Sequence, residues 1–351
     1  MPEAARPSVG QRKTSRKCYT VSSMATGLVY DPIYLEHDTG ALPEGPERLR
    51  AIMARLEESR LLARLVRIPA RLADKPTIHL VHPETYLRRI QKAVAIGDRT
   101  FEHSDVGIGP ASWKAALRAV GGVLALCDAV MERRVDNGFC AIRPPGHHAR
   151  HENAGGFCLL NNVAIGARYL QRHHGLERVA IVDWDLHHGD GTQHIFEEDP
   201  SVYFISLHEH PSHLYPGTGY AWEHGKGAGE GFTLNLPMQP EADDADYQAA
   251  FAKFVLPALR RFGPQAILIS AGFDAHMYDP MGHLRLSSVG YAWMTRQLKN
   301  LAQTACNGRI ISVLEGGYNP RALAASVQTH LEVLAEPTFE EALMDLKSGM
   351  Y

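Results

Sequence analysis

The sequence predicts an α/β protein, one domain in which a mainly parallel sheet lies between helices. Three observations carry that reading. From Gly27 onward, short apolar runs alternate with longer amphipathic stretches. Most of the short runs are continuously apolar instead of alternating, the pattern of strands covered on both faces. No repeat or low-complexity linker divides the chain, and its 351 residues, 45% apolar and 21% charged, suffice for one large core.

Taken in order, residues 27–30 read as the first strand. A helix over 46–58 follows, opened by Pro46 at a first turn where a missing N–H costs nothing. Pro83 and Pro110 open helices over 83–95 and 110–133 in the same way. The apolar run 138–142 is a strand and 156–173 a helix. Strands over 178–183, 202–207 and 232–236 come next, then a helix over 244–262. The last third reads strand 265–270, helix 287–305, strand 309–314 and helix 320–335. Residues 27–337 form the expected domain. Residues 1–26, with Arg6, Arg12, Lys13, Arg16 and Lys17 among Ser, Thr and Pro, read as a flexible basic tail: an extension, a start upstream of Met24, or a targeting segment. Residues 338–351 read as an acidic C-terminal tail.

Charge and cysteine usage exclude several classes. A net charge of −3 offers no positive field for a phosphate backbone, so nucleic acid is not expected as a direct partner. Five scattered cysteines without a C-x-x-C pair suggest neither a disulfide framework nor a thiolate zinc site. No apolar run approaches the roughly 20 residues of a membrane helix, and the start lacks the order of a secretory signal. The chain therefore reads as soluble and cytoplasmic. Its oddity is 19 histidines, several in adjacent pairs, which point to metal or proton chemistry.

In an open parallel sheet, ligands bind beyond the carboxyl ends of the strands. Four expected strand ends deliver unusual residues there: Arg143-Pro144-Pro145-Gly146-His147-His148-Ala149, Asp183-Trp184-Asp185-Leu186-His187-His188-Gly189-Asp190, Ala271-Gly272-Phe273-Asp274-Ala275-His276 and Glu315-Gly316-Gly317-Tyr318. Each alone has a structural explanation, such as an N-cap or a turn. Together, Asp183, Asp185 and Asp274 place carboxylates at apolar strand ends, where burial without compensation is costly. A cation is the economical partner. The alternation Asp183-x-Asp185-x-His187 sends three side chains to one side of an extended segment, so two of them can bind one ion. Asp274 then completes an Asp/His/Asp site with an open position, the form of a catalytic zinc site. His147, His148 and Tyr318 are the right types for general base, general acid and oxyanion donor.

These loops resemble, in order and spacing, the zinc-dependent histone deacetylase family, particularly class II and the bacterial histone deacetylase-like amidohydrolases. The resemblance runs from about Gly27 to Pro337 and also includes Gly-Phe-Cys-x-x-Asn-Asn at 156–162. It implies an arginase-like three-layer fold with an eight-stranded, mainly parallel sheet. It implies that Asp185, His187 and Asp274 hold Zn2+, and that His147 and His148 are the active-site histidines, with Asp183 and Asp190 as their respective carboxylate partners. His148 is the expected general base and then acid, His147 its electrostatic support. Asp190, which is Asn in many class II members, is expected to make His148 somewhat more basic than in those relatives. Tyr318, which is His in class IIa vertebrate members, is expected to donate to the oxyanion.

Gly156, Phe157 and Tyr215 are expected to wall an acyl-lysine tunnel; Tyr215 also reads as an ordinary packed aromatic. Met281 and Asp105 are expected at its rim, Asp105 in a loop where a solvated acid is an equal reading. Met281 replaces the Glu of the polyamine-selective vertebrate deacetylase and so argues for a neutral-stem amide. A structural K+ is implied at Asp183, Asp185, His187, Ser206 and Leu207, and Arg48 matches the arginine below the metal. His37, His103, His208, His210, His213 and His224 are read as exposed or structural. The expected activity is removal of acetyl or another short acyl group from an acetylated lysine side chain of a protein. Acetylpolyamine or another small acetylated amine is the second substrate class that the same chemistry would serve. The pocket also admits a non-catalytic acyl-lysine binder, and the fold a dinuclear arginase-like hydrolase. A homo-oligomer is not excluded.

Overall fold

The computed structural model of the chain describes residues 25–337. Among the described residues there are ten strands: β1 (Thr26–Val29), β2 (Val66–Ile68), β3 (Thr100–Phe101), β4 (His103–Gly107), β5 (Asn137–Cys140), β6 (Val179–Asp183), β7 (Val202–Glu209), β8 (Thr233–Met238), β9 (Ala266–Ala271) and β10 (Ile310–Leu314). Eight of them form one all-parallel sheet in the order β2-β1-β5-β10-β9-β6-β7-β8. The expected α/β class and eight-stranded sheet are what the chain forms. Every residue of β1, β5, β6, β7, β9 and β10 is buried, so continuous apolar runs mark strands covered on both faces.

The helices are α1 (Glu47–Glu58), α2 (Lys75–Ile78), α3 (Glu84–Ile96), α4 (Ser112–Met131), α5 (Asn162–His174), α6 (Asp190–Phe196), α7 (Asp244–Ala250), α8 (Leu256–Phe262), α9 (Ser288–Ala305) and α10 (Pro320–Ala335). Their starts follow from capping. Ser287 accepts from Val289 N and Gly290 N, and Asn319 from Arg321 N and Ala322 N, with Pro320 behind it.

Several expected boundaries move. The helix expected from Gly156 begins at Asn162, because Gly156 (φ +48°) and Phe157 (φ +68°) turn the chain in the left-handed region. Asn161 then caps α5 through Ala164 N. The helix expected over 244–262 is broken by a wide π-turn at Phe251–Val255, just before Pro257, which has no N–H to continue the ladder. β2 and the β3/β4 hairpin carry no long apolar run and add to the expected strands. Asp105 lies in β4, which corrects its expected place in a loop. β8, at the sheet edge, runs on through Pro237 to Met238, where a missing N–H is tolerated. Of the expected tails, residues 1–24 and 338–351 lie outside the described residues, whereas Thr26 is buried in β1. Among the described residues, no helix is long and apolar enough to cross a membrane, and Cys127, Cys140, Cys158 and Cys306 are buried free thiols. Cys18 falls outside the described residues.

Candidate active site

The four loops singled out in the sequence leave β5, β6, β9 and β10, which are contiguous in the sheet in the order β5-β10-β9-β6. Register places Asp183 opposite Ser270 on one side and Ser206 on the other. All four carboxyl ends therefore open at one place.

Asp185, His187 and Asp274 converge there, each buried, with one potential ligand atom apiece lying within 4.8 Å of the others. His187 Nδ1 donates to Asp185 Oδ1 at 3.1 Å and lies 3.2 Å from Asp274 Oδ2. Asp274 Oδ2 makes no well-directed hydrogen bond, although its partner oxygen accepts from Leu186 N at 2.9 Å. Burial and then the Asp185 charge push the Asp274 carboxyl up to about 7. Burial pulls the His187 imidazole down, but its two carboxylate neighbours outweigh that and hold it at about 10. One proton on an imidazole is thus left to balance two buried carboxylates, and Asp274 Oδ2 faces it without a well-directed hydrogen bond. This donor set fits a divalent cation. Gly316 completes the cradle: its N–H donates to Asp185 Oδ2 at 2.8 Å, and a Cβ there would stand 2.1 Å from Asp274 Oδ2.

The histidine pair stands beside the triad with ring centroids 4.0 Å apart. His147 Nδ1 donates to Asp183 Oδ2 at 3.0 Å, and His148 Nδ1 donates to Asp190 Oδ1 at 2.7 Å. Burial opposes charge on His147, but Asp185 and Asp183 outweigh it and raise its pKa well above the usual histidine value. Burial and the neighbouring His147 instead lower His148 to about 4. The expectation for Asp190 is comparative, that His148 is more basic than with an asparagine there, and the Asp190 contribution has that direction. Asp190 does pull His148 upward, by less than burial and His147 push it down, and its second oxygen is taken by Arg150.

A narrow cavity of about 180 Å3 leads to these groups. His148, His187 and Gly156 line its buried part, and Phe157, Tyr318, Asp105 and Met281 its half-buried part; Tyr215 is 46% exposed. Every residue expected to form the acyl tunnel or its rim lines this one cavity. Phe157 meets the Tyr318 ring edge-on at 5.7 Å, and Tyr215 meets the His148 ring at 5.1 Å. Asp105 Oδ2 accepts from Gly156 N at 3.2 Å, tying β4 to the tunnel. The Tyr318 hydroxyl makes no hydrogen bond among the described residues, and burial followed by Asp274 keeps its pKa well above the ordinary phenol value. It is a protonated, uncommitted donor. A larger cavity of about 380 Å3 lies at the amino-terminal ends of β6 to β8, beside Arg178, Tyr203 and Phe232, and gathers no converging acid, base or ligand groups.

Comparison with known proteins decides the family: the model of the histone deacetylase domain matches residues 42–334. The chain belongs to the histone deacetylase family. A probable deacetylase of Archaeoglobus fulgidus is 41% identical over 315 residues, covering 89% of this chain and 86% of that protein. The polyamine deacetylase HDAC10 of Homo sapiens is 38% identical over 90% of this chain, which spans about half (47%) of that longer relative. Among solved structures, the HDA15 HD domain superposes with a TM-score of 0.84 at 38% identity, covering 93% of each chain.

Around this centre the structure adds Glu315, Asp279 and Glu44, to which the sequence alone assigns no role, and shows what Arg48 holds. Glu315 Oε2 accepts from Gly146 N at 2.6 Å and His147 N at 3.2 Å, joining the tyrosine loop to the histidine loop. Asp279 Oδ2 accepts from Tyr318 N at 2.6 Å and Asn319 N at 3.1 Å, while Oδ1 accepts from Met281 N. Arg48 donates from Nε to Gly317 O at 2.7 Å and from Nη2 to Glu315 O, with its guanidinium 5.1 Å from the Tyr318 ring. Buried Glu44 sits between Arg48 and Arg143; burial opposes its charge, and Arg143 outweighs it, holding the carboxyl at about 2. Glu315 carries a signal in the sequence, an acid ending an apolar strand, by the argument used for Asp183. Of the histidines given no role, His37 and His208 are buried and hydrogen-bonded to Ser112 and Ser206, whereas His103, His213 and His224 are exposed and His210 is half-buried.

Proposed function

We propose that this chain is a zinc-dependent amidohydrolase that removes acetyl, or another short acyl group, from acyl-lysine side chains. The observation that carries the reading is a metal-ready Asp185/His187/Asp274 triad at the foot of a narrow tunnel, with the uncommitted Tyr318 hydroxyl in its wall. Zinc bound by these three residues would polarise the amide carbonyl and acidify a water molecule. Phe157 and Tyr215 sheathe the aliphatic stem and exclude water from it. His148 is neutral, with Nδ1 committed to Asp190, so its Nε2 is the atom that takes a proton from water and later returns it to the leaving amine. His147, held by Asp183, supplies positive charge beside it. Tyr318 donates to the carbonyl oxygen as negative charge develops there.

At the rim, Asp105 keeps its second oxygen for substrate backbone amides, and uncharged Met281 favours a neutral stem. The second reading, an acetylpolyamine or other small amide, is favoured by the human relative named a polyamine deacetylase and by the Asp105 carboxylate at the tunnel. A structural K+ beside the zinc, held by Asp183, Asp185, His187, Ser206 and Leu207, is supported by the Asp183–Ser206 register between β6 and β7. A cytoplasmic location, with no direct nucleic-acid partner, completes the proposal; the buried free thiols and the net charge of −3 agree with it.

The test is acetate release from an acetyl-lysine peptide by purified protein, with zinc restored after chelation. Tyr318→Phe is expected to retain zinc and lose about 10²–10³ in kcat, the usual cost of one oxyanion donor. Release from acetylputrescine alone would move the assignment to small amides, and release from neither substrate would overturn it.

A further inference from the structure

One arginine reaches the histidine pair from outside the tunnel. Asp190, the first residue of α6, divides its carboxylate between two partners. Oδ1 accepts from His148 Nδ1 at 2.7 Å, and Oδ2 accepts from Arg150 Nε at 3.0 Å and Nη2 at 2.8 Å. Arg150 pairs with no other carboxylate among the described residues. Its backbone N–H donates to Asn153 O, and its side chain, 43% exposed, borders a second cavity of about 300 Å3 beside His103, Asn153 and Pro216. That cavity and the tunnel share only His148 and Tyr215 in their linings.

A carboxylate bonded through one oxygen alone can rotate and offer either oxygen to the imidazole. Two parallel N–H groups from a planar guanidinium fix Oδ2, which fixes Oδ1 and hence the plane of the His148 ring. Arg150 is partly exposed and Asp190 is buried, so its consequence is to be read in turnover with stability measured beside it. We propose that Arg150 is a positioning residue: it holds Asp190, which holds His148 Nε2 toward the acyl group, and it does so from a solvent cavity separate from the tunnel. The proposal rests on the deacetylase reading of the site.

The experiment compares wild type, Arg150→Ala and Arg150→Lys as zinc-loaded protein of verified metal content and melting temperature. Arg150→Ala is expected to lose about 10–100-fold in kcat with KM within about twofold, since removal of such supporting groups costs that much activity. Arg150→Lys is expected to recover part of the loss, and so is millimolar guanidinium added to Arg150→Ala, because the solvent cavity admits the free cation. A kcat within about twofold of wild type in folded Arg150→Ala overturns the proposal. So does a loss that neither lysine nor guanidinium recovers. If wild type hydrolyses no acyl amide, the functional reading fails instead, and proton NMR then tests the arginine alone. The downfield His148 Nδ1 proton, assigned through its loss in Asp190→Asn, is expected to shift or broaden in Arg150→Ala; an unchanged resonance overturns the inference.

Discussion

Gly156 lies against the His148 imidazole so closely that a Cβ at this position would stand 2.2 Å from His148 Cδ2. The backbone there also has φ +48°, a region that costs a side-chain-bearing residue about 1–2 kcal/mol. Gly156→Ala is therefore expected to push the imidazole off its line to the acyl group. A displacement near 1 Å costs roughly 10²-fold in turnover. Steady-state kinetics on a variant with full zinc content checks this, and unchanged kcat would show that His148 moves without consequence.

Much of this centre is legible in the sequence because it breaks the rules of burial. Asp183 ends β6, and Asp185 and Asp274 closely follow β6 and β9, strands that are wholly buried and almost wholly apolar, so each carboxylate needs a partner whatever the details of the fold. Gly156, Phe157, Tyr215, Met281, Asp105 and Tyr318 stand in ordered motifs, and one cavity unites them. What the sequence hides depends on distant partners. Glu44 meets Arg143 across 99 positions and Asp279 meets Tyr318 across 39, and neither pairing leaves a local pattern. The β3/β4 hairpin is hidden because its strands are short and their buried residues, Phe101, Val106 and Gly107, do not alternate with exposed ones.

Asp274→Asn separates the metal from the scaffold. Without a cation, Asp274 and Asp185 repel each other in a buried site, and an amide would end that repulsion while keeping the acceptor for Leu186 N. The metal-free variant is expected to melt at or above the metal-free wild type. Zinc at a hundredfold excess over its dissociation constant should stabilise wild type by about 2.7 kcal/mol and the variant far less. Melting curves with and without zinc decide it, and an equal zinc response would remove Asp274 from the ligand set.

Glu44→Gln tests the pillar under Tyr318. The carboxylate is fully buried, accepting from Arg48 Nη1 at 3.0 Å and from Arg143 Nε and Nη2. Its neutral replacement leaves two buried guanidinium groups without a counter-charge, a change that typically costs about 3–5 kcal/mol. Urea denaturation should report a loss of that order. A loss below about 1 kcal/mol would mean that the carbonyls of Tyr34, His37, Glu315 and Gly317 satisfy the two arginines by themselves.

His330 is expected to make the fold acid-sensitive at a point distinct from the Asp185/His187/Asp274 triad. Thr295 Oγ1 donates to Tyr291 O, so it accepts from His330 Nδ1 at 2.7 Å, and His330 Nε2 must then accept from the Ser312 hydroxyl at 2.9 Å. Among the described residues no carboxylate faces the ring to offset a second proton, and burial lowers the pKa to about 3. An ordinary histidine in the unfolded chain titrates near 6.5. Above that pH both states are neutral and the stability is fully present; as pH falls from 6.5 toward 3, the unfolded chain binds a proton that the native state refuses. The linkage amounts to about 2 kcal/mol lost by pH 5. His330→Gln keeps a donor and an acceptor but cannot titrate. The variant should be less stable than wild type at pH 7, yet its drop between pH 7 and pH 5 in urea denaturation should be smaller by about 2 kcal/mol. Equal drops in the two proteins would mean that the acid sensitivity arises elsewhere, with buried His37 and His82, both lowered to about 4, the next groups to replace.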